Sequence, residues 1–181
     1  MLTDRATVKT EVIFSDDRQQ RYLLRKEWEA KLPKATIVMT NPSTADILLI
    51  DHTTMYIINN LVRLSYGGVD IVNLVSKPTT KIKVKEDMLE LDMTNVNIIL
   101  KSAEKSETVI IAWGKLGENN KKVRDIQDQL LSVLRPFADK LHEIADEKGA
   151  SGFHPLAPQI RFAWILKKFE IPKKQPDKEA P

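Results

Sequence analysis

The chain contains no cysteine, which excludes disulfides, thiolate metal sites and a cysteine nucleophile and leaves the redox compartment open. Three widely spaced histidines make a dedicated zinc site unexpected, because such sites need clustered imidazole or thiolate ligands. The six glycines form no phosphate-cradling loop: Gly114-Lys115-Leu116-Gly117 is too sparse, and neither Gly-x-x-x-x-Gly-Lys-Ser/Thr nor Gly-x-Gly-x-x-Gly occurs. A Gly-x-Ser-x-Gly elbow and a His-Glu-x-x-His pair are likewise absent. No apolar run approaches the ~20 residues of a membrane-spanning helix. The first residues, MLTDRATVKTEVIF, lack the basic and apolar regions of a secretion signal, so a cytoplasmic location without a membrane partner is expected. Neither sign of charge dominates: 28 basic and 25 acidic residues leave +3, compatible with nucleic acid but not diagnostic of it.

What is present is an ordinary globular composition, 42% hydrophobic and 29% charged over 181 residues, enough for one domain with a substantial core. Polar residues 15–20 separate segments 7–14 and 21–28, which read as an N-terminal hairpin. Residues 34–40, 69–75 and 107–113 are short apolar runs of the kind found in buried strands, and 141–145 is a weaker one. Three- and four-residue apolar spacing predicts helices over 53–65, with Gly67-Gly68 as the stop, over 95–105, over 119–134, ended by Pro136, and over 159–169. Residues 77–92 read as a lysine-rich loop with a helical turn. This alternation predicts a three-layer α/β sandwich with a mainly parallel central sheet, plus the hairpin, over residues 1–170. Residues 171–181 are expected to be a disordered tail.

Open parallel sheets bind ligands beyond the carboxyl ends of their strands. Four polar clusters fall there: Asn41-Pro42-Ser43-Thr44-Ala45-Asp46, Asn73, Trp113-Gly114-Lys115 and His154-Pro155-Leu156. If the strands are parallel, carboxamides, hydroxyls, a carboxylate and an imidazole converge on one rim. Each residue also has a structural reading. Asn41 before proline suits a turn, Asp46 and Asp51 suit helix caps, and Trp113 suits the core. Asn73 is harder to place so simply, since a carboxamide in an apolar strand needs hydrogen-bond partners. His154 stands in a Gly/Pro-rich loop, where function is commonly carried, whereas His52 and His142 are weaker candidates.

These residues, with Phe14-Ser15, Arg21-Tyr22-Leu23, Asp51, Thr53 and Tyr66-Gly67-Gly68, resemble the bacterial and phage domain-of-unknown-function family 1643 over about residues 14–158. Asn-Pro-Ser-Thr-Ala-Asp is the specific part of that resemblance. More distantly, the order Asn-Pro, strand-end Asn, Trp-Gly and His-Pro resembles the uracil-DNA glycosylase superfamily. That resemblance implies that Asn41 positions water, Asn73 reads a base edge and His154 stabilises the leaving base. Asp46 joins the catalytic set by polarising the water, and Pro42, Ser43, Thr44, Asn73, Trp113 and Gly114 form the base-binding set. There is no Phe in the first motif, and Leu156-Ala157-Pro158 replaces a Ser-rich segment.

Three readings follow. The first is an N-glycosidic hydrolase without cofactor or metal, whose partner is a nucleic acid or nucleotide. The second is a non-catalytic module binding the same ligands. The third is a phosphoesterase with a divalent ion on Asp46, Asp51 and His52. The sequence does not indicate the oligomeric state.

Overall fold

The computed structural model describes residues 1–43, 45–78 and 91–172. In chain order the elements are β1 (Lys9–Phe14), β2 (Arg21–Glu27), β3 (Lys34–Met39), α1 (His52–Arg63), β4 (Gly68–Asn73), α2 (Met93–Lys105), β5 (Thr108–Ile111), α3 (Lys121–Val133), β6 (Leu141–Ala145) and β7 (Ile165–Lys168). Short 3-10 turns occupy Leu116–Glu118, Arg135–Lys140 and Pro158–Ile160. Most of the expected lysine-rich loop over 77–92, most of the tail and Thr44 lie outside the described residues.

All seven strands join one sheet in the order β1-β2-β4-β3-β5-β6-β7. The sheet is mixed rather than mainly parallel. Pairings β4–β3, β3–β5 and β5–β6 are parallel, while β1–β2, β2–β4 and β6–β7 are antiparallel. Connection length accounts for the hairpin, because a short link reverses the chain whereas a parallel neighbour needs a long crossover such as a helix. The expected N-terminal hairpin is present and extends the sheet through β2.

Helices cover both faces of the sheet, which is why β3 and β4 are apolar nearly throughout. On one face α2 and α3 contribute Ile99, Val123, Ile126 and Leu130 to a cluster with Val38, Val72, Val109 and Ile111. On the other, Ile57 and Leu61 of α1 pack with Ile37, Met39, Ile71, Ile110 and Ala112. The alternation 109/111 against 110/112 is the period of two expected of a strand buried on both sides. Each long helix begins with a side-chain cap: Asp51 accepts from the Thr54 N–H, Asp92 from Thr94 and Asn120 from Val123. These bonds satisfy backbone donors that a helix start leaves free.

Two local expectations need correction. Residues 159–169 do not form a helix: Pro158–Ile160 is one 3-10 turn, and Ile165–Lys168 pairs antiparallel with β6. Ile160 and Trp164 are both buried in the α1-side cluster, so their four-residue spacing imitates a helical stripe, but Phe162 and Ile165 between and after them are exposed. The α1 stop is not the Gly67-Gly68 pair either. Leu64 closes the helix and Ser65 takes the left-handed conformation, φ 63°. Gly67 is needed for a different reason, since a Cβ there would lie 1.9 Å from the Glu29 carbonyl oxygen.

Candidate functional site

The parallel block β4-β3-β5-β6 brings the polar strand ends to one rim. Asn73 ends β4 directly opposite Met39, the last residue of β3. Beyond them the strands stay tied: Leu74 N–H donates to Met39 and Val75 N–H to Thr40. On the β5 side Thr40 Oγ1 donates to the Trp113 carbonyl at 3.1 Å. The Trp-Gly and His-Pro loops touch, since a Cβ on Gly114, whose φ is +67°, would meet the His154 Cβ at 3.2 Å. Neighbouring strands lie about 5 Å apart, so the Asn41, Asn73 and Gly114–His154 segments share a few strand widths.

The side chains do not all share one face. By strand alternation Asn73 falls with Ile71 on the α1 side, where Ala45 and Phe153 also pack. Trp113 instead packs against the α2/α3 cluster. It edges a cleft of about 1010 Å³ lined by Arg124, Gln127 and Arg135 and by Phe169 beyond β7. That cleft meets the candidate set only at Trp113 and Gly114, so its size does not locate the strand-end chemistry. The indole and the Asn73 amide therefore lie on opposite faces of the sheet.

Asn73 is 1% exposed, and its Nδ2 has no hydrogen-bond partner among the described residues. Its backbone carbonyl accepts from Asn95 Nδ2 at 2.8 Å, which holds the strand end to the first turn of α2. A buried amide without a partner costs about 1–3 kcal/mol. Asn60 Oδ1, Asp92 Oδ2, Asn95 Oδ1, Gln127 Nε2 and Trp164 Nε1 also lack one among the described residues, and Asn73 differs from them in ending a strand of the parallel block. His154 is partly buried, and its Nδ1 accepts the Leu156 N–H at 3.2 Å. In the neutral ring the proton then resides on Nε2, leaving an N–H to donate. Burial holds this imidazole below the ordinary histidine range, and Asp51 opposes that shift.

The Asn41 loop is built from its own side chains. Asn41 Nδ2 reaches the Pro42 carbonyl at 3.5 Å, and Ser43 Oγ accepts from the Ala45 N–H at 3.4 Å. Asp46 Oδ1 accepts the Leu48 and Leu49 N–H groups, both at 2.9 Å. These bonds hold the Asp46 carboxyl below the usual range. Pro42 is buried between them, and Thr44 lies outside the described residues. Among the described residues no three His, Cys, Asp or Glu side chains are grouped to hold a metal ion.

Sequence assigns Arg21 no role and Asp51 only that of a helix cap or of a ligand to a divalent ion. Arg21, the first residue of β2, is 2% exposed, and its Nη1 donates to the Ser43 carbonyl at 3.2 Å and to that of Ala45. Asp51 caps α1 through the Thr54 N–H and acts electrostatically on both Arg21 and His154. Arg21 follows a polar turn and reads locally as a surface residue. In the fold it is buried, with its Nη1 against the Asn41 loop.

Among family descriptions, "Protein of unknown function (DUF1643)" matches residues 21–156, and the chain belongs to that family. No curated protein and no solved structure matches it. No helix among the described residues is long and apolar enough to cross a membrane.

Proposed function

We propose that this member of the DUF1643 family recognises a nucleobase or nucleotide at the rim formed by Asn41, Asn73 and His154, in a uracil-DNA glycosylase-like arrangement, and hydrolyses an N-glycosidic bond there without a metal. The observation that carries the reading is Asn73 Nδ2, buried at a strand end without a partner among the described residues, on the same rim as an imidazole whose Nδ1 accepts a backbone N–H and whose Nε2–H is left to donate. A base edge supplies complementary acceptors and donors for such an amide. Asn41 holds the water. As the C1′–N bond breaks, its electron pair passes to the base, and His154 Nε2–H stabilises the negative charge there. The water oxygen bonds to C1′ and loses its proton to solvent, assisted by Asp46.

Binding without catalysis is the second reading, and the Asp46 geometry favours it. A carboxylate that accepts two backbone N–H groups and is held at low pKa is a weak general base.

Base release from oligonucleotides carrying uracil, mismatches and modified pyrimidines, and from free nucleosides, measured in EDTA, tests the proposal. Release that disappears in Asn41→Ala supports it. Binding without release selects the second reading, and neither binding nor release overturns both.

A further inference from the structure

We propose that the free edge of the buried Arg21 guanidinium is an anion site at the Asn41 rim, built to take two oxygens of a phosphate carried by the ligand. The identification of that anion as a nucleotide phosphate rests on the base-recognition reading above. The anion site itself does not.

Arg21 presents three guanidinium nitrogens, and the protein uses one. Nη1 donates to the carbonyls of Ser43 and Ala45, whereas Nε and Nη2 are buried with no partner among the described residues. Nε and Nη2 form the side edge of the guanidinium, whose two parallel N–H groups match the spacing of two oxygens on a phosphate or carboxylate. No carboxylate among the described residues forms an ion pair with Arg21. Asp51 and Asp46 act on it only at longer range, and each has an oxygen committed to backbone N–H groups.

Lys26 is the internal control. It too is 2% exposed and reaches the same loop, but its Nζ donates to both Thr10 Oγ1 at 3.0 Å and the Ile47 carbonyl at 3.2 Å. One buried cation is thus engaged by two separate segments, while the other, nearer the rim, keeps a forked pair of donors unused. A buried charge without a counter-ion is strongly unfavourable, and an arriving anion removes that cost. The two nitrogens are shielded from solvent, so the anion enters with side-chain shifts at the rim of the kind common on binding.

Calorimetric titration of the full chain with ribonucleosides, their 5′-monophosphates and ribose 5-phosphate tests the site. In the wild type the monophosphates are expected to bind at least about tenfold tighter than the nucleosides. Arg21→Lys, which keeps the charge but loses the fork, should reduce that gap to less than about twofold. Equal binding of nucleosides and monophosphates by the wild-type protein, a gap that survives in Arg21→Lys, or no binding of any phosphorylated probe would each overturn the proposal. The wild-type comparison decides even where the variant fails to fold. If ribose 5-phosphate binds as tightly as the monophosphates and depends on Arg21, the anion site stands and base recognition fails. If nucleosides equal monophosphates and ribose 5-phosphate does not bind, base recognition stands and the anion site fails.

Discussion

The two ends of the central sheet treat their polar side chains differently. At the amino ends of the parallel strands each named group has a partner. Thr36 and Ser106 share a hydrogen bond of 2.6 Å, Tyr66 and Thr108 one of 2.7 Å, and Lys140 Nζ donates to the Glu104 and Ser106 carbonyls behind α2. Asp70 takes Arg25 in a fork, Nε to Oδ1 at 2.6 Å and Nη2 to Oδ2 at 2.8 Å. At the carboxyl ends, Asn73 and Arg21 are as deeply buried yet leave an amide nitrogen and two guanidinium nitrogens unpartnered among the described residues. Buried polar groups are satisfied as a rule. Asn60 Oδ1, in the later part of α1, is also buried without a partner among the described residues, but the groups named at the amino end have the chemistry of a structure completed within the chain, and Asn73 and Arg21 that of a structure completed by something else.

Substitutions at the amino end should cost stability, and those at the carboxyl end should cost binding. The largest effect is expected from Gly67→Ala, just before β4, where the new Cβ would sit 1.9 Å from the Glu29 carbonyl oxygen. Backbone must move, and chemical denaturation should report a loss of about 3 kcal/mol. A variant as stable as wild type would mean that this end tolerates rearrangement and would weaken the contrast.

A sharper comparison pairs Asp70→Asn with Asn73→Leu, two residues of the same strand. Asp70→Asn removes one charge of a partly buried fork and should cost about 1–3 kcal/mol. Asn73→Leu replaces an unpartnered amide with apolar volume and should leave stability unchanged or raise it, while ligand binding falls more than about tenfold. Equal destabilisation by the two, read from urea midpoints, would erase the distinction between the ends.

The smallest effect concerns pH. Burial lowers the His154 pKa below the ordinary histidine range, with Asp51 pulling the other way. The unfolded chain therefore binds the proton more readily, so this contribution to stability is complete above about pH 6.5 and is lost as pH falls below it towards the folded value. His154→Gln should show a shallower decline in urea midpoint between about pH 7.5 and about pH 5.5. Identical slopes would show that the imidazole is not held neutral by the fold.

Local pattern was enough to place β3, β4, β5, α1, α2 and α3 within a few residues, because apolar spacing of two or of three to four reports which faces are covered. The same pattern put Asn41, Asn73, Gly114 and His154 at strand ends, and Asp51 was legible as a helix cap from its type and position. Residues 159–169 defeated it, since Ile160 and Trp164 sit four apart yet bury from a turn and an irregular segment. Whether β7 joined the sheet, and in which direction, depended on the open edge of β6, far away in sequence.

The features that carry the functional reading were also non-local. Arg21 is a buried cation whose Nη1 meets the Asn41 loop where that loop closes over β2, and Asn73 Nδ2 has no partner among the described residues because of what the fold places beside it. Trp113 faces away from Asn73 because strand alternation and sheet position together choose its side. Sequence alone determined most of the strands and helices, residues 159–169 excepted, and which polar types end them, since backbone preference and periodicity act over a few neighbours. Tertiary structure decided strand direction, burial of charge and satisfaction of hydrogen bonds, because each depends on groups brought together from distant parts of the chain.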